Sequence, residues 1–148
     1  MKPVYQDKFG HDYGNCYQAC IASILEISLD EAPEVMQPRN DGYADNEWLF
    51  RLNGWLAPRG YMAILLPSGE DESNNYYFGP ILTIASGLSP RVFGDKPTLH
   101  AVIWQNGKCI HDPHPDGTGL DGKPKDFTVF VPFNPAISYK AAVLGTGQ

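Results

Sequence analysis

The sequence predicts an α+β protein in which the helices come first along the chain and the strands follow. Apolar residues recur every three to four positions in two segments before residue 57, which is the period of an amphipathic helix. From residue 61 onward, the apolar segments are shorter and have the composition of strands. This order is typical of α+β proteins rather than of alternating β-α-β units. We therefore expect an N-terminal helix packed on an antiparallel sheet.

Three segments near the N-terminus are predicted to be helical. The first covers residues 16–27, where most faces of the helix are apolar. Asn15 is a favourable N-cap, which makes Cys16 the first helical residue. A shorter helix is expected over residues 28–36 because serine followed by two acidic residues is typical of a helix start. A further amphipathic helix is expected to begin at residue 45 and to end before Pro58.

The second part of the chain contains five predicted strands. Asn106-Gly107 lies between two of them and is the strongest hairpin signal in the sequence, since both residues tolerate positive φ. Polar segments at residues 68–75 and 116–125 are expected to be solvent-exposed loops without chemistry of their own. The five strands are expected at residues 61–66, 80–85, 99–105, 108–111 and 126–131.

Size and charge restrict the classes of partner. A chain of 148 residues with 43% apolar residues can bury one core, so we expect a single domain over residues 1–148. The net charge of −6 disfavours nucleic acid and anionic membranes. No segment approaches the roughly 20 apolar residues of a membrane span, and the first ten residues lack the apolar centre of a signal peptide. With three cysteines and no disulfide framework, we expect a cytoplasmic protein.

Four residues in a consistent chain order suggest nucleophilic catalysis by a cysteine. The thiol of Cys16, at the start of a buried helix, lies in the field of unpaired backbone amides, which favours the thiolate. His100 begins a strand and can act as the base, while Asp112 follows the returning strand and can orient that histidine. The side-chain amide of Gln6 can stabilise an oxyanion together with the backbone N–H of Cys16.

These residues resemble those of a known superfamily. Gln6, with the sequences Gly14-Asn15-Cys16 and Ala19-Cys20-Ile21-Ala22-Ser23, resembles the start of papain-like cysteine peptidases, most closely their small bacterial and phage-borne relatives. His100-Ala101-Val102 followed by Asp112-Pro113 is similar to the bacteriocin-processing double-glycine peptidases and to phytochelatin-synthase-like enzymes. Ser89-Pro90-Arg91 before that histidine resembles a pattern in phage and prophage proteins. The resemblance implies a papain-like fold with Cys16 as nucleophile, His100 as base, Asp112 as its orienting partner and Gln6 as oxyanion donor.

The expected activity is hydrolysis of an amide, peptide or isopeptide bond in a protein or peptide-like substrate, such as a host protein. Side-chain deamidation or acyl transfer by the same triad remains an alternative, as does a non-catalytic phage protein that binds a host factor. The ten-residue interval from Gln6 to Cys16 is longer than is usual in the superfamily, so Asn15 or another donor is an alternative for the oxyanion. Asn15 and Arg91 are the expected substrate-binding residues, Arg91 through a carboxylate or phosphate of the substrate.

No metal or other cofactor is expected. His111, Asp112, His114 and Asp116 place four residues of metal-binding types close together, but Pro113 and Pro115 hold this segment extended. The predicted chemistry needs only side chains of the protein.

The register of the predicted hairpin decides whether His100 and Asp112 can meet. A regular two-residue turn at residues 106–107 pairs His100 with Pro113 and turns Asp112 to the other face. A three-residue loop, or a strand that breaks its register before Asp112, places Val102 opposite Asp112. His100 and Asp112 are then diagonal neighbours on one face. The catalytic hypothesis therefore requires a loop of three residues or a break in register.

Overall fold

The computed structural model describes residues 1–11, 13–36, 47–68 and 79–134. Within these ranges the protein has two α-helices, two short 3₁₀ helices and five strands. The α-helices are α1 (Cys16–Leu25) and α2 (Trp48–Leu56), and the 3₁₀ helices are Leu29–Glu31 and Ala57–Arg59. The strands are β1 (Tyr61–Pro67), β2 (Thr83–Leu88), β3 (Leu99–Gln105), β4 (Lys108–His111) and β5 (Asp121–Pro132).

All five strands belong to one antiparallel sheet in the order β1-β5-β2-β3-β4. Helix α1 packs mainly on β3, and α2 packs on β1. The core between the helices and the sheet includes Ile21, Leu52, Ile84 and Ile103, each fully buried. The α+β prediction, with an N-terminal helix packed on an antiparallel sheet, is confirmed. Within the described ranges, no helix has the length and apolar character needed to cross a bilayer.

The helices differ from the prediction mainly at their ends. Helix α1 begins at Cys16 as expected, but it ends at Leu25 because Glu26 adopts a left-handed conformation with φ of 57°. The helix expected over residues 28–36 is only a single 3₁₀ turn, in which the Glu31 carboxylate accepts hydrogen bonds from the backbone N–H and the hydroxyl of Ser28. The expected start of α2 at residue 45 lies outside the described residues.

The strands follow the prediction closely in the hairpin and less closely elsewhere. Strands β3 and β4 have the expected bounds, whereas β2 lies three residues later than predicted. Strand β5 begins at Asp121. The prediction of a loop over residues 116–125 is therefore wrong for its second half, which belongs to this strand. Of the loop expected at residues 68–75, residues 69–75 lie outside the described ranges. The first half of the 116–125 segment forms part of the site described next.

Candidate active site

The N-terminal segment is held between α1 and the end of β4, and this arrangement places Gln6 beside the start of α1. The backbone N–H of Gln6 donates to the Pro113 carbonyl at 3.0 Å. Nearby, Nε2 of His111 donates to the Val4 carbonyl at 2.9 Å, and the Val4 N–H donates to the Ser23 hydroxyl of α1 at 2.9 Å. These contacts join three distant parts of the chain at one end of the sheet.

Asn15 is the N-cap residue of α1, but its side chain does not cap the helix. Its Oδ1 accepts hydrogen bonds from the backbone N–H groups of Asp7 and Lys8, at 3.2 and 2.9 Å. Its Nδ2 donates to Oδ1 of Asp7 at 2.8 Å and to Oε1 of Gln18 at 3.0 Å, which occupies both amide hydrogens. The Asn15 side chain therefore makes structural contacts that use both amide hydrogens, and the substrate-binding role expected for it stays a prediction.

The turn between Gly10 and α1 requires glycine at position 14. The Gly14 N–H donates to the Gly10 carbonyl at 3.2 Å, and a Cβ atom at position 14 would lie 2.8 Å from that same oxygen. No side chain fits at that distance without moving the backbone. Gly14 therefore permits the tight approach that places Cys16 at the first helical position.

A bulge in the β3-β4 hairpin brings His100 and Asp112 to the same face of the sheet. Asn106 and Gly107 form a two-residue turn with φ values of 52° and 77°, and Gln105 pairs with Lys108. The register then shifts, because Trp104 pairs with Cys109 whereas Ile103 pairs with His111. Ile110 is the extra residue of this bulge. The three-residue loop is thus wrong, and the break in register before Asp112 is confirmed.

His100 and Asp112 form a buried pair, and Cys16 lines the same cleft as His100. Nε2 of His100 lies 2.7 Å from Oδ1 of Asp112, and both side chains are almost completely shielded from solvent. Cys16 is partly exposed in this cleft and contributes to the raised pKa of the His100 ring. Since Nε2 is occupied by Asp112, Nδ1 is the nitrogen left for Cys16. The structure thus brings together the three residues predicted for the triad.

Asp112 accepts four hydrogen bonds, which use both of its oxygens. Oδ1 accepts from the backbone N–H of His114 at 2.8 Å in addition to its contact with His100. Oδ2 accepts from the backbone N–H of Gly119 at 2.7 Å and from Nη2 of Arg91 at 2.9 Å. A buried carboxylate is stable only when such partners replace water. Asp112 is therefore fixed in orientation and charge.

Arg91 connects Asp112 to the segment that follows β4. Its Nε donates to Oδ2 of Asp116 at 2.8 Å, and its Nη2 donates to Asp112, to Asp116 and to Thr118 Oγ1, the last at 2.7 Å. The Asp116 carboxylate also accepts from the backbone N–H of Thr118 at 2.9 Å. Most of the guanidinium therefore serves the protein itself, and only Nη1 is left for the substrate contact expected of Arg91.

The electrostatics of the pair favour an imidazolium next to a carboxylate at neutral pH. Burial alone lowers the pKa of His100, but the hydrogen bond with Asp112 and the interaction with Cys16 outweigh burial and raise the pKa to about 9. Burial raises the pKa of Asp112, whereas the hydrogen bonds from His100, from two backbone N–H groups and from Arg91 hold it well below its usual range. The His100 imidazolium and the Asp112 carboxylate therefore form an ion pair beside the cleft that Cys16 lines.

Gln6 lies in the same cleft as Cys16 and His100, where it can contribute to an oxyanion site. Its side chain is buried, and Nε2 donates one of its two hydrogens to the Lys8 carbonyl at 2.8 Å. The second hydrogen and the backbone N–H of Cys16, which has no intrahelical partner at the first position of α1, are the donors available to an oxyanion. The position expected of Gln6 is therefore compatible with that role despite the long interval to Cys16.

The histidines near Asp112 make structural contacts. His111 binds the Val4 carbonyl and packs edge-to-face on Tyr5, with ring centroids 5.1 Å apart. His114 packs in the same way on Phe9, and its Nδ1 accepts from the backbone N–H of Asp116 at 3.2 Å. Across the parts of the chain that the structure describes, no group of three or more histidine, cysteine or acidic residues has the geometry of a metal site.

The residues that sequence reasoning missed are those that hold Asp112. Arg91 was expected to face a substrate, and residues 116–119 were expected to be a loop without chemistry, yet together they supply three of the contacts that fix Asp112 and Arg91. The sequence Asp116-Gly117-Thr118-Gly119 was the available signal, since such residues favour turns in which a side chain hydrogen-bonds to the nearby backbone.

Comparison with family models, with curated proteins and with solved structures finds no match to this chain.

Proposed function

We propose that this protein is a cysteine-dependent hydrolase with a papain-like architecture, which attacks an amide, peptide or isopeptide carbonyl through Cys16. The observation that carries the proposal is the contact of 2.7 Å between His100 Nε2 and Asp112 Oδ1, with Cys16 and His100 lining the same cleft. A nucleophile, a base and an orienting acid in that order are the parts of an acyl-transfer site. The packing of α1, with its N-terminal cysteine, on the strand that carries the histidine also supports the papain-like assignment.

The reaction uses these residues in two steps. The Cys16 thiolate attacks the carbonyl carbon, and the oxyanion is stabilised by the N–H groups of Gln6 and of the Cys16 backbone. As the C–N bond breaks, the His100 imidazolium donates its proton to the leaving amine, which leaves a thioester on Cys16 and a neutral imidazole. His100 then takes a proton from water, whose oxygen attacks the thioester, and Cys16 leaves as thiolate with a carboxylic acid as product.

The compartment proposed for this activity is the cytoplasm. None of the three cysteines forms a disulfide, and Cys20 of α1 is fully buried in the protein core. A reducing compartment keeps a nucleophilic thiol in its active form.

The experiment compares the protein with Cys16→Ala on a peptide library prepared from a bacterial lysate. Mass spectrometry then detects new peptide termini and mass increases of about one dalton. New termini that depend on Cys16 support hydrolysis of peptide bonds, and mass increases that depend on Cys16 favour side-chain deamidation instead. A folded Cys16→Ala variant that gives the same products as the wild type would contradict the catalytic role of Cys16.

A further inference from the structure

Three buried polar atoms next to the candidate active site have no hydrogen-bond partner among the described residues. They are Oε1 of Gln6, Nη1 of Arg91 and Oγ1 of Thr98. All three residues line the cleft that also contains Cys16 and His100. An unsatisfied buried polar atom destabilises a protein and is rare in folded chains. Three such atoms around one cleft are therefore candidates for hydrogen bonds to a bound molecule.

Thr98 is the member of this group that neither takes part in the proposed reaction nor holds Asp112. Its side chain is buried, with 8% of the residue exposed, and it precedes His100 by two positions. Leu99 between them is 62% exposed, so side chains alternate here as in a strand, and Thr98 lies on the same side as His100. The Thr98 carbonyl accepts the backbone N–H of Ser89 at 2.8 Å, which holds this residue in place at the wall of the cleft.

The chemistry of the three atoms selects the kind of group that fits. Gln6 Oε1 only accepts, Arg91 Nη1 only donates, and the Thr98 hydroxyl can do both. A carboxylate offers acceptors alone and would leave Gln6 Oε1 unsatisfied. An ammonium group offers donors alone and would lie near the Arg91 guanidinium. An amide offers a carbonyl oxygen and at least one N–H, so it can satisfy both kinds of atom.

The charges around Arg91 also favour a neutral group. Asp112 and Asp116 already form ion pairs with the guanidinium, so its positive charge is compensated within the protein. An anionic ligand would therefore gain little electrostatic attraction at Nη1. A neutral amide forms the same hydrogen bond and loses less hydration when it is buried.

We propose that the cleft contains an amide-binding subsite in which Gln6 Oε1, Arg91 Nη1 and Thr98 Oγ1 recognise a neutral amide group of the substrate beside the bond that Cys16 attacks. This inference rests on the proposed function, since it names the substrate class of the same site. The substrates are peptides, or proteins with amide-bearing side chains, in which a second amide lies next to the scissile one. Thr98 is the residue that determines this preference.

The test uses three alkylating probes that share one electrophile and differ only in the neighbouring group. Chloroacetyl-glycinamide has a second amide, chloroacetyl-glycine has a carboxylate, and N-propylchloroacetamide has an apolar chain. In each case the Cys16 thiolate forms a C–S bond and chloride leaves. The second-order rate at Cys16 is measured by mass spectrometry for each probe and is divided by the rate of that probe with N-acetylcysteine.

The wild type should react fastest with the glycinamide probe, by about threefold to tenfold over the propyl probe, which is the range that corresponds to one or two net hydrogen bonds. Thr98→Val should reduce this ratio toward one, and Thr98→Ser should restore it. The ratio within one variant cancels any general change in the reactivity of Cys16. Ser28→Ala, which removes a hydroxyl outside the cleft, is the matched control and should retain the wild-type ratio.

The outcomes separate this inference from the proposed function. Equal normalised rates for the three probes at a selectively reactive Cys16 would overturn the amide subsite and leave the hydrolase proposal standing. A preference for the glycine probe would show an anion site and would also overturn the inference. If no probe reacts selectively with Cys16, the hydrolase proposal fails and the inference fails with it.

Discussion

Replacement of Asp112 by asparagine tests whether this carboxylate is the fixed centre of the site. Oδ1 accepts two hydrogen bonds, from His100 and from a backbone N–H, and Oδ2 accepts two more, from Arg91 and from another backbone N–H. Asparagine has one acceptor oxygen, so in either orientation its NH₂ group faces two donors. Two of the four hydrogen bonds are therefore lost, and two donors are left unsatisfied.

Two lost contacts of this kind, one of them to a charged group, should reduce the free energy of unfolding by about 2 to 4 kcal/mol at pH 7. Urea unfolding measures this difference, and the m-value should stay the same because the exposed surface does not change. Asp121→Asn, at an exposed position at the start of β5, is the control and should lie within about 0.5 kcal/mol of the wild type.

The pH dependence of this difference has a definite sign. Because the pKa of Asp112 lies well below its usual range in the folded protein, its contribution to stability is present above about pH 3.9, the ordinary pKa of an aspartate. The contribution is lost as the pH falls below that value toward the lower pKa of the folded state. The wild type and Asp112→Asn should therefore converge under acid conditions. An Asp112→Asn variant as stable as the wild type at pH 7 would refute the argument.

Two further predictions concern the partners of Asp112. The pKa of His100 is raised to about 9 from an ordinary value of about 6.5, so its stabilising contribution is complete below pH 6.5 and is lost as the pH rises through 9. Urea unfolding from pH 6 to 9 should show a decline for the wild type and a smaller one for His100→Gln, and parallel curves would contradict this. Arg91→Lys should reduce stability by about 1 to 3 kcal/mol, since an ammonium group cannot reproduce the fork that binds Asp112 and Asp116, and an unchanged unfolding midpoint would argue against that role.

The local features of the site were predictable from the sequence because they depend on short-range rules. The segment that forms α1 follows from the apolar period, and the hairpin turn follows from Asn106-Gly107. The requirement that His100 and Asp112 share a face then predicted a departure from regular pairing. The side-chain period of two makes such a departure necessary, whatever residue forms the bulge.

The long-range contacts of the site were not predictable in this way. The contacts of Arg91 with residues 112–118 join segments more than 20 residues apart. The bulge at Ile110 lies within the hairpin, but no local sequence pattern specifies its position. Asn15 shows the same limit, since its side-chain oxygen binds backbone N–H groups of the N-terminal segment rather than those of the helix that it was expected to cap. A local preference is overridden when a distant segment offers the side chain more hydrogen bonds.

The relative reactivity of the three cysteines at pH 6 tests the central claim most directly. Burial raises the pKa of the Cys20 thiol. The pKa of the Cys109 thiol is also raised, by partial desolvation of its sulfur and by the nearby charge of Asp112. At pH 6 an ordinary thiol with a pKa of about 8.5 is less than about 1% thiolate. Cys16, paired with protonated His100, should therefore react with iodoacetamide at least about tenfold faster than Cys109, as measured by mass spectrometry of the folded protein. Labelling of Cys109 at the same rate as Cys16 or faster would contradict the assignment of Cys16 as the nucleophile.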